Sequence, residues 1–204
     1  MTLEAQNLTF RYPRRGASPV LEGVDFTLRS GERVGLSAPS GRGKTTLCKL
    51  LAGWEEPSSG QVLLDGVPLS QYRGFCPVQL LWQHPEEAVD PLLKLRTTLY
   101  EAGPVDPAIL EGLGVREEWL ERYPSELSGG ELQRICTARA LGPELRFLLC
   151  DEASAMLDLV TQAKLWRFLL EQVERRWLGM LIVSHDAALL DRLCTRVVSL
   201  NSGS

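Results

Sequence analysis

Two short stretches hold residue types that can handle a polyphosphate. The first runs Ala38, Pro39, Ser40, Gly41, Arg42, Gly43, Lys44, Thr45, Thr46. It fits the spacing G-x-x-x-x-G-K-[ST], except that Ala38 stands at the first glycine. Glycines let backbone N–H groups curl around phosphate oxygens with no Cβ in the way. The helix expected to follow aims its positive N-terminal end at the same anion. Lys44 brings a full charge to the β- and γ-phosphates, and the Thr45 hydroxyl can ligate Mg²⁺. Ala38 could narrow the turn, but Gly41 and Gly43 sit closer to the phosphates. The second stretch is the apolar run Phe147, Leu148, Leu149, Cys150, which ends in Asp151 and Glu152. At the C-terminal edge of a parallel sheet, where open α/β folds bind ligands, Asp151 would hold the Mg²⁺ shell. Glu152 would be the base that orients an attacking water. Acidic pairs after strands are common, but paired with the phosphate loop they point to a nucleoside-triphosphate hydrolase.

A third stretch narrows the class. Leu127, Ser128, Gly129, Gly130, Glu131, Leu132, Gln133, Arg134 resembles the LSGGE/Q signature of ABC ATPases. Physically, Ser128 can cap the helix that follows. The N–H groups of Gly129 and Gly130, with the helix dipole, then make an anion site facing outward. The resemblance implies that this site binds the γ-phosphate held by an opposite subunit. It carries further positions one by one. Tyr12, in Phe10-Arg11-Tyr12, stands where the family places an aromatic that stacks on adenine. Gln83 occupies the Q-loop position, where its amide would contact Mg²⁺ or the water. His185 occupies the switch-histidine position and is expected at the γ-phosphate, completing a catalytic set of Glu152, His185 and Gln83. Asp158 matches the loop that crosses the dimer interface, with Ala155 where that loop usually has serine. Taken alone, a tyrosine ending a strand or a histidine following one is more often structural. His84 has no expected role.

The elements that must position these residues alternate as in a parallel sheet covered on both faces. Strands are expected near residues 3–12, 20–28, 33–36, 61–64, 147–150, 180–183 and 196–200, and helices after Lys44 and over 129–141, 159–177 and 187–193. Gly53 is placed to end the helix after Lys44, and Asp65-Gly66 to make a turn. From about Pro85 to Pro124 no strand is evident, and helix-like pieces over 92–101, 107–113 and 116–121 alternate with Gly and Pro. The fold expected is α/β: a P-loop NTPase with a mostly parallel core sheet, an N-terminal antiparallel β subdomain and an inserted α-helical subdomain at about 85–140. The 204 residues suit one such domain.

Composition bounds the rest. With 44% apolar and 24% charged residues the chain is of ordinary globular make-up. A net charge of -4 speaks against a nucleic-acid partner. The five cysteines form no C-x-x-C pair, so reduced, mostly buried thiols are expected. No leader peptide is evident, and no apolar run approaches the ~20 residues that span a bilayer. The resemblance therefore implies a peripheral subunit on the cytoplasmic side of a membrane. It would bind ATP and Mg²⁺, dock on integral membrane transporter subunits, and pair with a second ATPase subunit around the nucleotide. The stretches from Gln83 to Pro91 and from Asp151 to Ala163 look most like the peptide/nickel importer branch. Relatives there usually carry a C-terminal extension, whereas this chain ends soon after its last expected strand. Leu92, Leu93, Leu95, Leu99 and Trp119 are candidates for exposed docking contacts or for the subdomain's own core. A soluble ABC-type ATPase acting on nucleic acid or ribosomes fits less well, since those usually carry two cassettes or a long coiled coil. An inactive regulatory cassette fits less well too, because Glu152 and His185 are both present.

Overall fold

The computed structural model describes residues 1–13, 18–39 and 41–200; Ser40 lies outside the described residues. Two long strands open the chain, β1 (Thr2–Phe10) and β2 (Leu21–Arg29), paired antiparallel with Leu3 opposite Leu28. Alternation buries Leu3, Ala5, Leu8 and Phe10 of β1 on one face. The register slips between Ala5 and Leu8, where Asn7 takes φ +49°, a conformation asparagine tolerates better than most residues. Strand β4 (Ser59–Leu64) pairs with the other edge of β1, and β5 (Val67–Pro68) folds back through the Asp65-Gly66 turn, giving the order β2-β1-β4-β5.

The second sheet is wholly parallel. Its strands are β3 (Arg33–Ser37), β6 (Val78–Leu81), β7 (Phe147–Asp151), β8 (Gly179–Val183) and β9 (Arg196–Ser199), in the order β6-β7-β8-β3-β9. Every residue of β7 and β8 is buried, as expected of strands covered on both faces. β6 was not evident in the sequence. Its four residues are too few to show a period, and it is defined by pairing with β7, Leu81 opposite Cys150.

Helix α1 (Lys44–Leu51) follows β3, and Gly53 turns the chain at φ +74° just past its end. The strandless middle holds α2 (Leu95–Tyr100), α3 (Pro107–Leu113), single 3₁₀ turns at Pro85–Ala88, Glu117–Trp119 and Pro124–Glu126, then α4 (Gly129–Ala140). α2 begins three residues later than the pattern suggests, because Lys94 is extended and Leu92 N–H donates to the Asp90 carboxylate in a preceding turn. The expected helix over 116–121 is one 3₁₀ turn. Helices α5 (Leu159–Arg176) and α6 (Ala187–Leu193) complete the chain.

Two apolar cores lie on opposite faces of the parallel sheet. Phe147, Leu149, Leu181 and Val183 point into a core shared with β1, β2 and α1. Leu148, Cys150, Met180 and Ile182 point into a core shared with α2, α3, α4, α5 and α6. Leu95, Leu99 and Trp119 belong to this second core and are essentially inaccessible, whereas Leu92 is 81% exposed and Leu93 39%. The five candidate contacts therefore divide three to core and two to surface.

Candidate nucleotide site

The loop between β3 and α1 carries the phosphate-binding pattern. Gly41 and Gly43 hold φ of +75° and +84°, which an L side chain resists. Ala38 has no such φ, and its methyl packs on the core beneath β1 and α1, so alanine is accommodated at that position. Lys44 is 7% exposed and its Nζ donates to the carbonyls of Ala38 (2.6 Å) and Pro39 (3.2 Å). Among the described residues no side chain caps α1, and its first turn holds no acid. The donor set of a buried ammonium and uncapped amide groups fits a polyphosphate.

Asp151 ends β7 and is 5% exposed. Burial pushes its carboxyl up from the ordinary range, a hydrogen bond with the Thr45 hydroxyl pulls it back, and the Glu152 charge adds to the rise. Lys44 and Lys49 lower it in turn. A buried carboxylate bonded to a threonine hydroxyl is a hard-oxygen pair suited to Mg²⁺. Next along, Glu152 takes φ +49°, a strain of about 1–2 kcal/mol for a non-glycine residue. Its N–H is held by Val183 O at 3.1 Å, and its Oε1 lies 2.7 Å from His185 Nε2. Since His185 follows β8, the pairing of Asp151 with Val183 brings both groups to one sheet edge. Ser37, Ala38, Pro39, Ser184, His185, Ser199 and Leu200 line a cleft of about 430 Å³ there.

Tyr12 leaves β1 beside α1. Its hydroxyl is 3.3 Å from Thr46 Oγ1 and its ring meets Phe10 edge-on at 4.9 Å. Thr46 is buried; Thr45 and Arg42 are exposed. Gln83 stands two residues beyond β6, exposed and without a hydrogen-bond partner among the described residues. Ser154 was not singled out in the sequence. Its Oγ accepts from Gln162 Nε2 (2.9 Å) and Trp166 Nε1 (3.1 Å), which pins the loop after Glu152 to α5. Asp158 also has a local task as N-cap of α5, accepting from the Val160 and Thr161 N–H groups. All five cysteines are free, and Cys48, Cys136 and Cys150 are buried. Burial pushes the Cys48 and Cys150 thiols up, and Asp151 adds to the rise in each.

Ser128, Gly129 and Gly130 are elsewhere. They start α4, where Ser128 and Glu131 form a reciprocal capping box. Side chains placed at Gly129 and Gly130 would meet Met156 and Leu157, at 3.7 and 3.0 Å. Among the described residues no hydrogen bond or ion pair joins this turn to Lys44, Asp151, Glu152 or His185.

Residues 21–155 match the family model described as ABC transporter. The chain is 37% identical over 93% of its length to the nickel import ATP-binding protein NikE of Rhodospirillum rubrum, spanning 75% of that protein. It is 36% identical over 90% of its length to the NikE of Escherichia coli K12, again spanning 75% of that protein. The fold superposes on the dimeric ATP-binding cassette MJ0796, bound to ADP and Pi, with a TM-score of 0.84 at 23% identity, covering 98% of this chain and 95% of that one. An ATP-binding subunit of an ABC transporter gives 0.84 at 25% identity, covering 100% and 87%. The phosphate loop, the acidic strand end and the histidine gathered at one sheet edge, with a separate capped turn at the head of α4, are thus those of a member of the ABC transporter family, an ATP-binding and ATP-hydrolysing cassette.

Proposed function

We propose that this chain powers import of nickel or a similar small solute or peptide, as one of two ATPase subunits docked on integral membrane subunits at the cytoplasmic face. The observation that carries the two-subunit reading is the separation just described. Lys44, Asp151, Glu152 and His185 form one half-site, and Ser128, Gly129 and Gly130 an outward-facing anion site that does not join it. Each becomes useful against the complementary half of a second subunit. The named nickel import relatives support the importer branch. No helix among the described residues is long and apolar enough to cross a membrane.

Thr45, Asp151 and Gln83 are the residues that would hold Mg²⁺, which when bound neutralises charge on the phosphate oxygens. Tyr12 offers its ring to the base, and Thr46 lies beneath it. Lys44 leaves its loop carbonyls for the phosphates, joined by the backbone of Ala38, Pro39, Ser40, Gly41, Arg42 and Gly43. Glu152 orients the water, and His185 holds Glu152 and the terminal phosphate in place. The gain comes from positioning and charge stabilisation rather than covalent chemistry. Leu92 and Leu93 supply apolar contact to the membrane subunits.

A pull-down of the tagged chain from detergent-solubilised membranes tests the transport role. An integral membrane protein is the expected companion. Recovery of nucleic-acid machinery alone would overturn the role and leave the ATPase standing.

A further inference from the structure

The turn at the head of α4 contains a chemical conflict. Gly129 and Gly130 present N–H groups that meet no acceptor among the described residues, at a helix end whose dipole favours an anion. The third helical residue, however, is Glu131. Its Oε2 accepts from the Ser128 N–H at 2.9 Å and from the Ser128 hydroxyl at 2.8 Å, while Ser128 Oγ takes the Glu131 N–H in a long contact of 3.4 Å. Those two Ser128 donors hold the Glu131 carboxyl below its usual range, so it is charged at neutral pH. A hydroxyl has one proton to give. In this arrangement Ser128 gives it to Glu131, and a full negative charge stands beside the place where an anion would land.

Compensation for that charge is indirect: Arg134 and Arg122 act on it through space, and neither is hydrogen-bonded to it. Arg134 sits one turn on, but its Nε donates to Gly130 O at 3.3 Å and its Nη1 to Gly114 O at 3.5 Å. Its guanidinium lies 4.7 Å over the buried ring of Trp119. Arg134 is therefore fixed on the inner side of the turn, with no hydrogen bond to Glu131.

We propose that Glu131 is a positioning residue that restrains closure: its carboxylate holds the Ser128 hydroxyl back and opposes the incoming phosphate, so that the anion binds only by taking over that hydroxyl. Closure then requires the Ser128 O–H to swing from Glu131 Oε2 to a phosphate oxygen, one hydrogen bond exchanged for another with no proton lost. ATP, with its full terminal charge, has more to gain from the exchange than ADP. The inference rests on the reading that this turn meets the phosphate of a second subunit.

The test uses the full chain carrying Glu152→Gln, so that ATP is not consumed, and measures ATP-dependent dimerisation by sedimentation. Glu131→Gln keeps an oxygen that can accept both Ser128 bonds but removes the charge. It is expected to tighten the dimer about tenfold at low ionic strength, with the gap to the unaltered chain closing as salt is raised. The melting temperature of the monomer should hardly move, because the cap survives. Gly129→Asp, which puts a second carboxylate at the contact, is the control and should abolish the dimer. If Gly129→Asp abolishes it but Glu131→Gln leaves it unchanged or weaker, the restraint is overturned and the two-subunit reading stands. Dimers unaffected by Gly129→Asp, or a chain that stays monomeric with ATP, overturn that reading and the restraint with it.

Discussion

Gly41 and Gly43 stand two residues apart in the same loop, with nearly the same left-handed φ, yet alanine should act differently at each. At Gly41 a Cβ would meet nothing within 4 Å among the described residues; at Gly43 it would come 2.7 Å from Leu21 Cδ2 and 3.1 Å from the carbonyl oxygen of Val20. Both substitutions carry the left-handed cost of about 1–2 kcal/mol, partly offset by the stiffer unfolded chain, about 0.4–1 kcal/mol. Gly41→Ala should therefore destabilise by only about 1 kcal/mol. Gly43→Ala adds an overpacking cost of about 1–3 kcal/mol, because a backbone carbonyl yields less readily than a side-chain tip. For a chain of this length each kcal/mol moves the midpoint by about 2–4 °C. Thermal unfolding of the nucleotide-free proteins should then place Gly43→Ala about 2–12 °C below Gly41→Ala. Adding ATP should narrow that gap. The space at Gly41 is open to the phosphates, so the methyl there should remove much of the ATP-induced stabilisation, which is about 2.7 kcal/mol at a hundredfold excess over Kd. Equal midpoints would refute the packing argument at the seam of β2 and α1. An unaltered ATP response in Gly41→Ala would refute the assignment of that space to phosphate.

Other expectations follow from the same geometry. Glu152→Gln should bind ATP, lose turnover and accumulate as a closed dimer in sedimentation, and normal turnover would remove Glu152 from the role of base. Glu152→Gly should also be inactive but melt no lower than the unaltered chain, since glycine relieves the φ of +49°. The Asp151 carboxyl is pushed up by burial, so its ionised form costs stability in the nucleotide-free fold, a penalty that appears as pH rises through its raised pKa. Asp151→Asn should therefore raise the melting temperature without nucleotide at neutral pH and abolish the further rise caused by Mg²⁺ in the presence of ADP; a fall in the nucleotide-free midpoint would contradict this. Asp158 is held below its ordinary range by the Thr161 hydroxyl and N–H. Its stabilising share is thus present above the unfolded carboxylate pKa of about 4 and lost as pH falls through the lower folded value. Asp158→Asn keeps an N-cap but should flatten the melting temperature against pH below about pH 4.

What could be read from the chain alone was what depends on residue type at short spacing. Gly41, Gly43 and Lys44 must be those residues if a backbone is to wrap an anion, and an apolar run closing in Asp151 and Glu152 can be recognised without knowing its neighbours. The alternation of strands and helices gave the parallel sheet, because strands buried on both faces are continuously apolar. What could not be read depends on partners distant in sequence. β6 is a strand because β7 lies beside it. Leu92 and Leu95 look alike in the sequence, and only packing against α4 decides that one is covered and the other bare. Ser154 carries no signal until α5 brings Gln162 and Trp166 over it. Asp158 was noticed through a resemblance, but its spacing to Thr161 is a capping pattern that could have been recognised locally. The Glu131 bond to Ser128 was likewise present as an S-x-x-E spacing, whose cost at an anion site becomes visible only with the hydroxyl's direction in view.

Among the described residues the two apolar cores share none, yet β7 and β8 serve both, odd positions one way and even positions the other. Neither half of the molecule can therefore melt while the other stays native, because unravelling either face strips one side of the same two strands. Amides in these strands should be the last to exchange with solvent. Nor could a one-residue slip in β7 go unnoticed: it would swap the contents of both cores at once and carry Asp151 and Glu152 off the edge where His185 waits. The strands that separate nucleotide chemistry from the helical half are also what oblige the two to fold as one cooperative unit.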